Sequence, residues 1–453
     1  MTKQPAMFSS YFLVSKYGGS VPRYTSYPPV PSWTGAPNDV AWYNAIRSSF
    51  EAQPDAGVSL YIHLPFCQQL CTYCACNKRI TVNHAVEDPY IQSVLKEWRR
   101  YKAVLPRPFR LNELHLGGGT PTFFSPENLS KLLVTLLEDA APAPRAAWSV
   151  EVHPNYTSRE HLEVLYNSGF RRVSIGVQSM NAQVQHAINR IQPIANVERV
   201  TRWAREIGYT SVNFDIIYGL PFQSQLISDQ DVSVVIQLRP DRIAHYGYAH
   251  VPWKHAGQRR YTDADLPESR ERFQSAESAR QLFKKAGYIE IGMDHYALPT
   301  DSLSQAQESK KLHRNFMGYT DQPTDILIGL GMSSISETRF GYVQNEKDLE
   351  LYHEKVHAGT TLFSDGHKFT PEDLRMKARI NALMCSLNTD LDEDVDDYMM
   401  HQLNGLQEDG IIQIDGNRLT VQAHARMFLR SVCAVFDPAF RMDKPSTRFS
   451  QNL

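Results

Sequence analysis

Four of the chain's six cysteines, Cys67, Cys71, Cys74 and Cys76, fall within ten residues of the stretch YIHLPFCQQLCTYCACN, positions 61 to 77. Thiols at this density suit a loop wrapped around a metal centre, and in a reducing compartment they mean metal or redox chemistry more often than disulfides. Two centres are conceivable. All four thiolates could close around zinc, although structural zinc sites normally draw two pairs from separate segments and Cys74-Ala75-Cys76 is cramped for a tetrahedral ion. Cys67, Cys71 and Cys74 alone would anchor three irons of a 4Fe-4S cubane and leave the fourth open to an outside ligand. Cys385 and Cys433 stand singly among apolar residues and read as buried small hydrophobes.

The loop needs a scaffold, and the sequence around it repeats a strand-loop-helix unit. Strands are expected at Val58 to His63, Leu111 to Leu116, Trp148 to Val152, Arg172 to Val177, Ser211 to Ile217 and Arg242 to Tyr248. Helices are expected at 88 to 101, from Ser125-Pro126 onward, at 158 to 168 and at 194 to 207, with Ser125 as cap and Pro126 in the first turn. Such alternation argues for a parallel sheet, open or curved into a partial barrel, with ligands gathered at the carboxyl ends of its strands. Those ends carry the cysteine loop, the turn Gly117 to Thr120, Glu151 with His153, Gln178, Asp215 with Tyr218, and Tyr248 with Ala249. Each alone has a plain structural reading as a tight turn, a cap or a satisfied buried amide. Together they describe a polar pocket with the metal loop at its mouth.

Composition narrows the setting. The chain has 453 residues, 42% hydrophobic and 21% charged, enough for one large domain and a smaller one. Its 47 basic and 49 acidic residues nearly cancel, so no global field draws it to nucleic acid or a membrane, and an anionic substrate must be held by local charges. No stretch approaches the roughly 20 apolar residues of a membrane helix, and the start lacks the pattern of a signal peptide. The expected home is the cytoplasm. Residues 21 to 35, VPRYTSYPPVPSWTG, resist regular structure; they form either a strap on the domain or a lid that offers Arg23, Tyr24 and Tyr27 to a ligand.

The Cys-x3-Cys-x2-Cys loop, with Tyr73 before its last cysteine, resembles that of radical S-adenosylmethionine (SAM) enzymes. PRYTSYP, YIHLPFCxxxCxYCxCN, GGGTPT, IGVQS, DIIYGLP, GMDHYALP, LHRNF and GYT together are similar to the oxygen-independent coproporphyrinogen III oxidase family, from about residue 22 to the end of the chain. That resemblance implies a partial (β/α)6 TIM-like barrel, one 4Fe-4S cluster and two SAM molecules. It also implies oxidative decarboxylation of two propionates of coproporphyrinogen III to vinyl groups, giving protoporphyrinogen IX. An electron donor such as flavodoxin or ferredoxin and an unidentified electron acceptor come with it, and a monomer is expected. Carried over by position, Cys67, Cys71 and Cys74 ligate the cluster, and Cys76 belongs to the signature without being a ligand. Tyr61, Gly118, Glu151 and Ile335 match contacts to the first SAM. Tyr73, Gly119, Thr120, Gln178, Arg190, Asp215 and Ala249 match contacts to the second. Tyr24, Tyr27 and His63 are candidates for the walls of the reaction cavity, and Arg23 and Lys78 for cations that receive the substrate's carboxylates.

Three positions depart from the family pattern: Ala75 stands for a glycine, His153 for an aspartate, and Met317 for a glutamine associated with the second SAM. A thioether cannot reproduce an amide's donors, so that site is expected to be held differently, with Phe316 and Ile335 as apolar walls. The expected division is an N-terminal arm over 1–50, a catalytic barrel over 51–364 and a small, mainly helical, winged-helix-like domain over 365–453. Helices at 371 to 386, 395 to 408 and 422 to 434 flank a hairpin, IIQI-DGN-RLTV, in that last domain. Acidic residues at 390, 392, 393, 394, 396 and 397 would repel phosphate, so the module reads as a lid or packing partner and not a nucleic-acid binder. Two relatives with the three-cysteine loop are the alternatives: a haem chaperone, which usually lacks the fourth cysteine and the PRYTSYP arm, and a methyltransferase that opens haem anaerobically.

Overall fold

In the segment VSLYIHL, alternate residues face opposite ways: Val58, Leu60, Ile62 and Leu64 are fully buried in the main hydrophobic core, while Ser59, Tyr61 and His63 point to the other face. This strand, β1 (Val58–Leu64), opens the barrel of the computed structural model, which describes residues 10–53 and 55–442. Five more follow in parallel register: β2 (Phe109–Gly118), β3 (Ala140–Val152), β4 (Arg172–Gln178), β5 (Ser211–Tyr218) and β6 (Arg242–Gly247). Helices Glu87–Lys102, Pro126–Leu137, Arg159–Asn167, Ile194–Ile207 and Gln225–Leu238 connect consecutive strands. Ser125 caps the second of these, accepting from Asn128 N at 3.2 Å, with Pro126 in its first turn. Trp98 and Leu132 from the helices meet Val150, Ile175 and Phe214 from the strands in one core. Full burial of each such side chain contributes roughly 1.5–3 kcal/mol.

The six expected strands and their helices are therefore present, but the sheet is twice as wide. Ile326–Leu330 pairs parallel to β1 on the side away from β2 and is followed by Ile335–Thr338, Gly341–Asn345 and Phe363–Lys368, all antiparallel. Beyond β6 lie His295–Ala297 and Ile289–Glu290, giving a 12-stranded sheet. β3 also starts at Ala140, well before the expected Trp148, because its first residues pair with Phe109 to Leu111 of β2 ahead of a register shift.

The segment expected as an arm divides in two. Helix Asp39–Ala52, capped by Asn38, buries Trp42 and Ile46 in the barrel's core. Leu13, Val14, Val21, Tyr24 and Tyr27 join the core of the C-terminal module, built from helices Pro371–Ser386 and Asp397–Glu408 and a three-stranded sheet. In that sheet Arg418–Val421 runs between Asn388–Asp390 and Ile412–Asp415. The last expected helix is a 3-10 turn, Ala423–Phe428, leading into Leu429–Val435. Phe363–Lys368 straddles the expected boundary at 364 and belongs to the main sheet. Residues 1–9 of the arm and 443–453 of the C-terminal domain lie outside the described residues. Cys385 and Cys433 are buried, as their surroundings suggested. The acidic run is largely paired: Arg379 reaches Asp394 at 2.8 Å and Asp392 at 3.3 Å, and Arg418 reaches Asp390 at 2.6 Å.

Candidate active site

The loop after β1 is tied down by backbone before any ligand is considered. Phe66–Cys67 pairs parallel with Arg79–Ile80, closing the ends of the loop, and Cys74 N donates to Cys71 O at 3.2 Å within it. Gly119 N and Thr120 N donate to Leu64 O and Phe66 O at 2.9 and 3.0 Å. That contact needs a glycine, since a Cβ on Gly119 would stand 2.5 Å from the backbone of Pro65. Gly118 adopts φ +104°, and a Cβ there would fall 2.5 Å from the His63 ring.

Cys67, Cys71, Cys74 and Cys76 open on a cavity of about 420 Å³ inside the barrel, within the range usual for small-molecule sites. Thr120 Oγ1 lies 3.4 Å from Cys67 Sγ, and Arg190 Nη1 donates to Cys71 Sγ at 3.6 Å. Among the described residues no three His, Cys, Asp or Glu side chains stand close enough to hold a single metal ion. Three unbridged cysteines spread along one cavity wall fit the ligand set of a 4Fe-4S cluster.

The inward faces of β2 to β6 supply the other walls. Burial pushes the Glu151 carboxyl up, but His115 Nε2 at 3.2 Å and Gly118 N at 3.3 Å hold it below the usual carboxylate range. Burial takes Asp215 the other way, up to about 6, against the pull of Ser174 Oγ at 2.7 Å and Asn213 Nδ2 at 2.9 Å. Gln178 ends β4 at a register shift with φ +65°, a strained conformation that turns its amide to the cavity. Arg190 is held by Gly176 O at 2.5 Å and Gln192 Oε1 at 3.2 Å as well as by Cys71. His153 accepts from Asn155 N through Nδ1 at 3.2 Å, which leaves the proton on Nε2; burial and the nearby Arg190 push its pKa down to about 2. Met317 lines the cavity too, its N–H bound by Asn315 Oδ1 at 2.9 Å.

The structure thus brings together on one cavity Cys67, Cys71, Cys74, Tyr73, Gly118, Gly119, Thr120, Glu151, Gln178, Arg190 and Asp215. It places others behind the wall. Tyr61 stacks on His115 at 5.8 Å and bonds through its hydroxyl to His63 Nδ1 at 3.1 Å. His63 in turn donates from Nε2 to Asn77 O at 2.8 Å, so its ring joins β1 to the far end of the cysteine loop. Ala249 reaches the site by its backbone: Gln258 Nε2 donates both to Ala249 O at 3.2 Å and to Tyr73 O at 3.1 Å. Ile335 is buried with Tyr342 and Phe369, beside Phe316. Lys78, by contrast, lines the main cavity, its Nζ donating to Cys74 O and Cys76 O at 3.0 and 3.2 Å. Tyr24 and Tyr27 lie away from this cavity in the C-terminal module's core, where Tyr24 Oη donates to Asp437 at 3.0 Å. Arg23 points elsewhere as well, to Gly247 O at 2.6 Å. Sequence reasoning missed His115, Ser149 and Gln258. Each of the first two sits two residues before a position already singled out, Gly117 and Glu151, and period-2 alternation from these would have found them.

The family model of the radical SAM superfamily matches residues 61–225 of this chain. The oxygen-independent coproporphyrinogen III oxidase of Synechocystis sp. is 34% identical over 467 residues, covering 100% of both chains. That of Salmonella typhimurium is 35% identical over 449 residues, covering 97% of each. The solved structure of coproporphyrinogen III oxidase (HemN) from Escherichia coli, a radical SAM enzyme, superposes with a TM-score of 0.89 at 33% identity, covering 96% of this chain and 100% of that one. Aligned from end to end with these oxidoreductases, the chain belongs to the oxygen-independent coproporphyrinogen III oxidase family of radical SAM enzymes.

Proposed function

We propose that the chain oxidises coproporphyrinogen III to protoporphyrinogen IX without oxygen, with the 4Fe-4S cluster of its family on Cys67, Cys71 and Cys74 and SAM bound in the barrel cavity. The observation that carries this is the convergence of the three cysteines with Glu151, Asp215, Gln178 and Arg190 on one cavity, in a chain that matches coproporphyrinogen oxidases over its whole length. When bound, the cluster supplies one-electron reduction of SAM, the source of a 5'-deoxyadenosyl radical. Each reacting propionate loses a hydrogen atom, carbon dioxide and one electron in becoming a vinyl group.

The chain's own residues position and desolvate. Glu151, ionised through His115 and Gly118, can accept from an amine or from ribose hydroxyls, and Asp215 can do the same above pH ~6. Gln178 and the Nε2–H of His153 offer donors toward the cavity. His63 and Tyr61 brace the cysteine loop from behind, and Gln258 joins Tyr73 to Ala249. Two SAM molecules are part of the reading, with Met317 in the second site contributing apolar contact alone. Equilibrium dialysis of the reconstituted protein with labelled SAM would give two per chain, and one per chain would reject the second site. No described helix is long and apolar enough to cross a membrane, and the reaction is assigned to the cytoplasm. Anaerobically reconstituted protein, given SAM, a low-potential reductant and coproporphyrinogen III, is expected to form protoporphyrinogen IX. Deoxyadenosine released with no vinyl product would refute the substrate, and transfer of a SAM methyl group to haem would favour the methyltransferase.

A further inference from the structure

A second, smaller cavity of about 60 Å³ lies on the outer face of β6, where His245 and Gly247 turn away from the barrel interior. It is closed by the arm through Arg23, by helix Ser269–Lys285 through Arg272 and Arg280, and by the C-terminal module through Arg426 and Arg430. Two of these five guanidiniums have carboxylate partners: Arg280 pairs with Glu277 at 2.6 Å and Arg426 with Glu290 at 3.5 Å. Among the described residues, the other three meet only backbone carbonyls. Arg23 donates to Gly247 O at 2.6 Å, Arg272 to Tyr248 O at 2.7 Å, and Arg430 to Pro22 O at 3.1 Å and to Val21 O. Arg430 is only 7% exposed, and Arg272 Nε is buried without any partner.

Three carboxylates line the chamber: Glu277 and Glu290 are taken up by Arg280 and Arg426, and Asp294, which feels Arg23 and Arg430, has no ion pair with either among the described residues. Arg23 stands close enough to disfavour the charge of the other two: burial and Arg23 push Arg430 down to about 10, and burial and Arg23 lower Arg272 as well. Buried like charges without ion-pair partners are costly, and an entering anion relieves that cost. At about 10–15 Å³ of such space per water, the chamber holds a few waters, which admits one oxyanion group but no macrocycle. We propose that this chamber is an oxyanion site, taking one carboxylate or phosphate group on Arg23, Arg272 and Arg430 and so clamping the arm and the C-terminal module onto the barrel's edge. Its mouth, beside the exposed Ala423 and His424, lies outside the main cavity. The site therefore stands whether or not the reaction assigned to the barrel is correct.

The group could come from free phosphate or from a carboxylate of the tetracarboxylic substrate. Calorimetric titration of the full chain with inorganic phosphate at constant ionic strength is expected to give saturable 1:1 binding and a raised thermal midpoint. Arg272→Gln would weaken that binding by about tenfold or more, the effect of losing a charge-assisted bond. Asp294→Asn, which removes the lining carboxylate that has no arginine partner among the described residues, would strengthen it. A parallel arm follows fluorescence of coproporphyrin III on binding. Displacement by phosphate, together with weakening in Arg272→Gln, would assign the site to a substrate carboxylate; phosphate binding without competition would assign it to a free anion. Absence of saturable phosphate binding, together with identical coproporphyrin affinity in wild type and Arg272→Gln, would overturn the proposal. So would phosphate affinity unchanged in both variants, each with a thermal midpoint showing that it is folded.

Discussion

Gly118→Ala should uncouple the cysteine loop from the barrel through a contact that can be worked out atom by atom. Gly118 holds φ +104°, and an L side chain in so sparsely populated a region costs about 1–3 kcal/mol. The new Cβ would stand 2.5 Å from His63 Cε1 and Nδ1, so the ring must move. Movement breaks the bonds from His63 to Tyr61 Oη at 3.1 Å and to Asn77 O at 2.8 Å, each worth about 0.5–1.5 kcal/mol. The total is about 2–6 kcal/mol, a large share of a marginal stability, and the Asn77 bond is the one that fixes the loop's far end. Iron content after anaerobic reconstitution and the denaturation midpoint should both fall. A cycle with His63→Ala separates strain from clash: in that background the ring and both its bonds are already gone, so adding Gly118→Ala should cost only the φ part, about 1–3 kcal/mol. An equal cost of Gly118→Ala in wild type and in His63→Ala would refute the reasoning.

Cys71→Ser should lose the cluster, seen as loss of iron and of visible absorbance, whereas Cys76→Ser should keep it, because the family signature leaves Cys76 outside the ligand set. Equal loss in both would make Cys76 a ligand. Glu97, buried beneath Gly331 N, Asn345 Nδ2 and Tyr352 Oη, is pushed up to about 7 by burial. The protonated form is favoured in the fold, so its contribution is fully present below the unfolded value near 4.3 and is lost as pH rises through 7, about 4 kcal/mol in all. Glu97→Gln should flatten the stability profile between those pH values, and an unchanged slope would count against it. With Asp215 raised to about 6, SAM affinity should decline below that pH and do so less in Asp215→Asn; isothermal titration at pH 5 and 8 checks both.

The barrel was legible because its strands carry a local signal. In β1, β4 and β5 alternate residues are apolar, and the helix over Ile194–Ile207 has the boundaries its periodicity set. The outer strands were not legible. Ile326–Leu330 is a five-residue apolar run whose partner, β1, lies more than 260 positions earlier, and nothing within the run names that partner. β3 was read short because Pro142 and Pro144 argue against a strand, yet Pro142 sits opposite Leu111 at the sheet's irregular start.

At the site, residues at strand ends were found because the fold brings strand ends together whatever their sequence distance. Tyr24 and Tyr27 show the limit of that reasoning. A proline-rich arm fixes no destination, and the partner that claims it, Asp437, stands in a module whose docking only tertiary packing decides. Arg23 and Lys78 likewise had the right charge, but carbonyls at Gly247, Cys74 and Cys76 decide where their side chains go.

The most direct measurement is mass analysis of the tetrapyrrole formed under strict anaerobiosis by cluster-loaded wild type beside cluster-free Cys71→Ser, with 5'-deoxyadenosine counted in the same tubes. The account predicts loss of two carboxyl groups per macrocycle in the wild type, at least one deoxyadenosine for each vinyl group, and neither product in the variant. Vinyl formation by Cys71→Ser, or a wild type that cleaves SAM and leaves all four propionates intact, would contradict it.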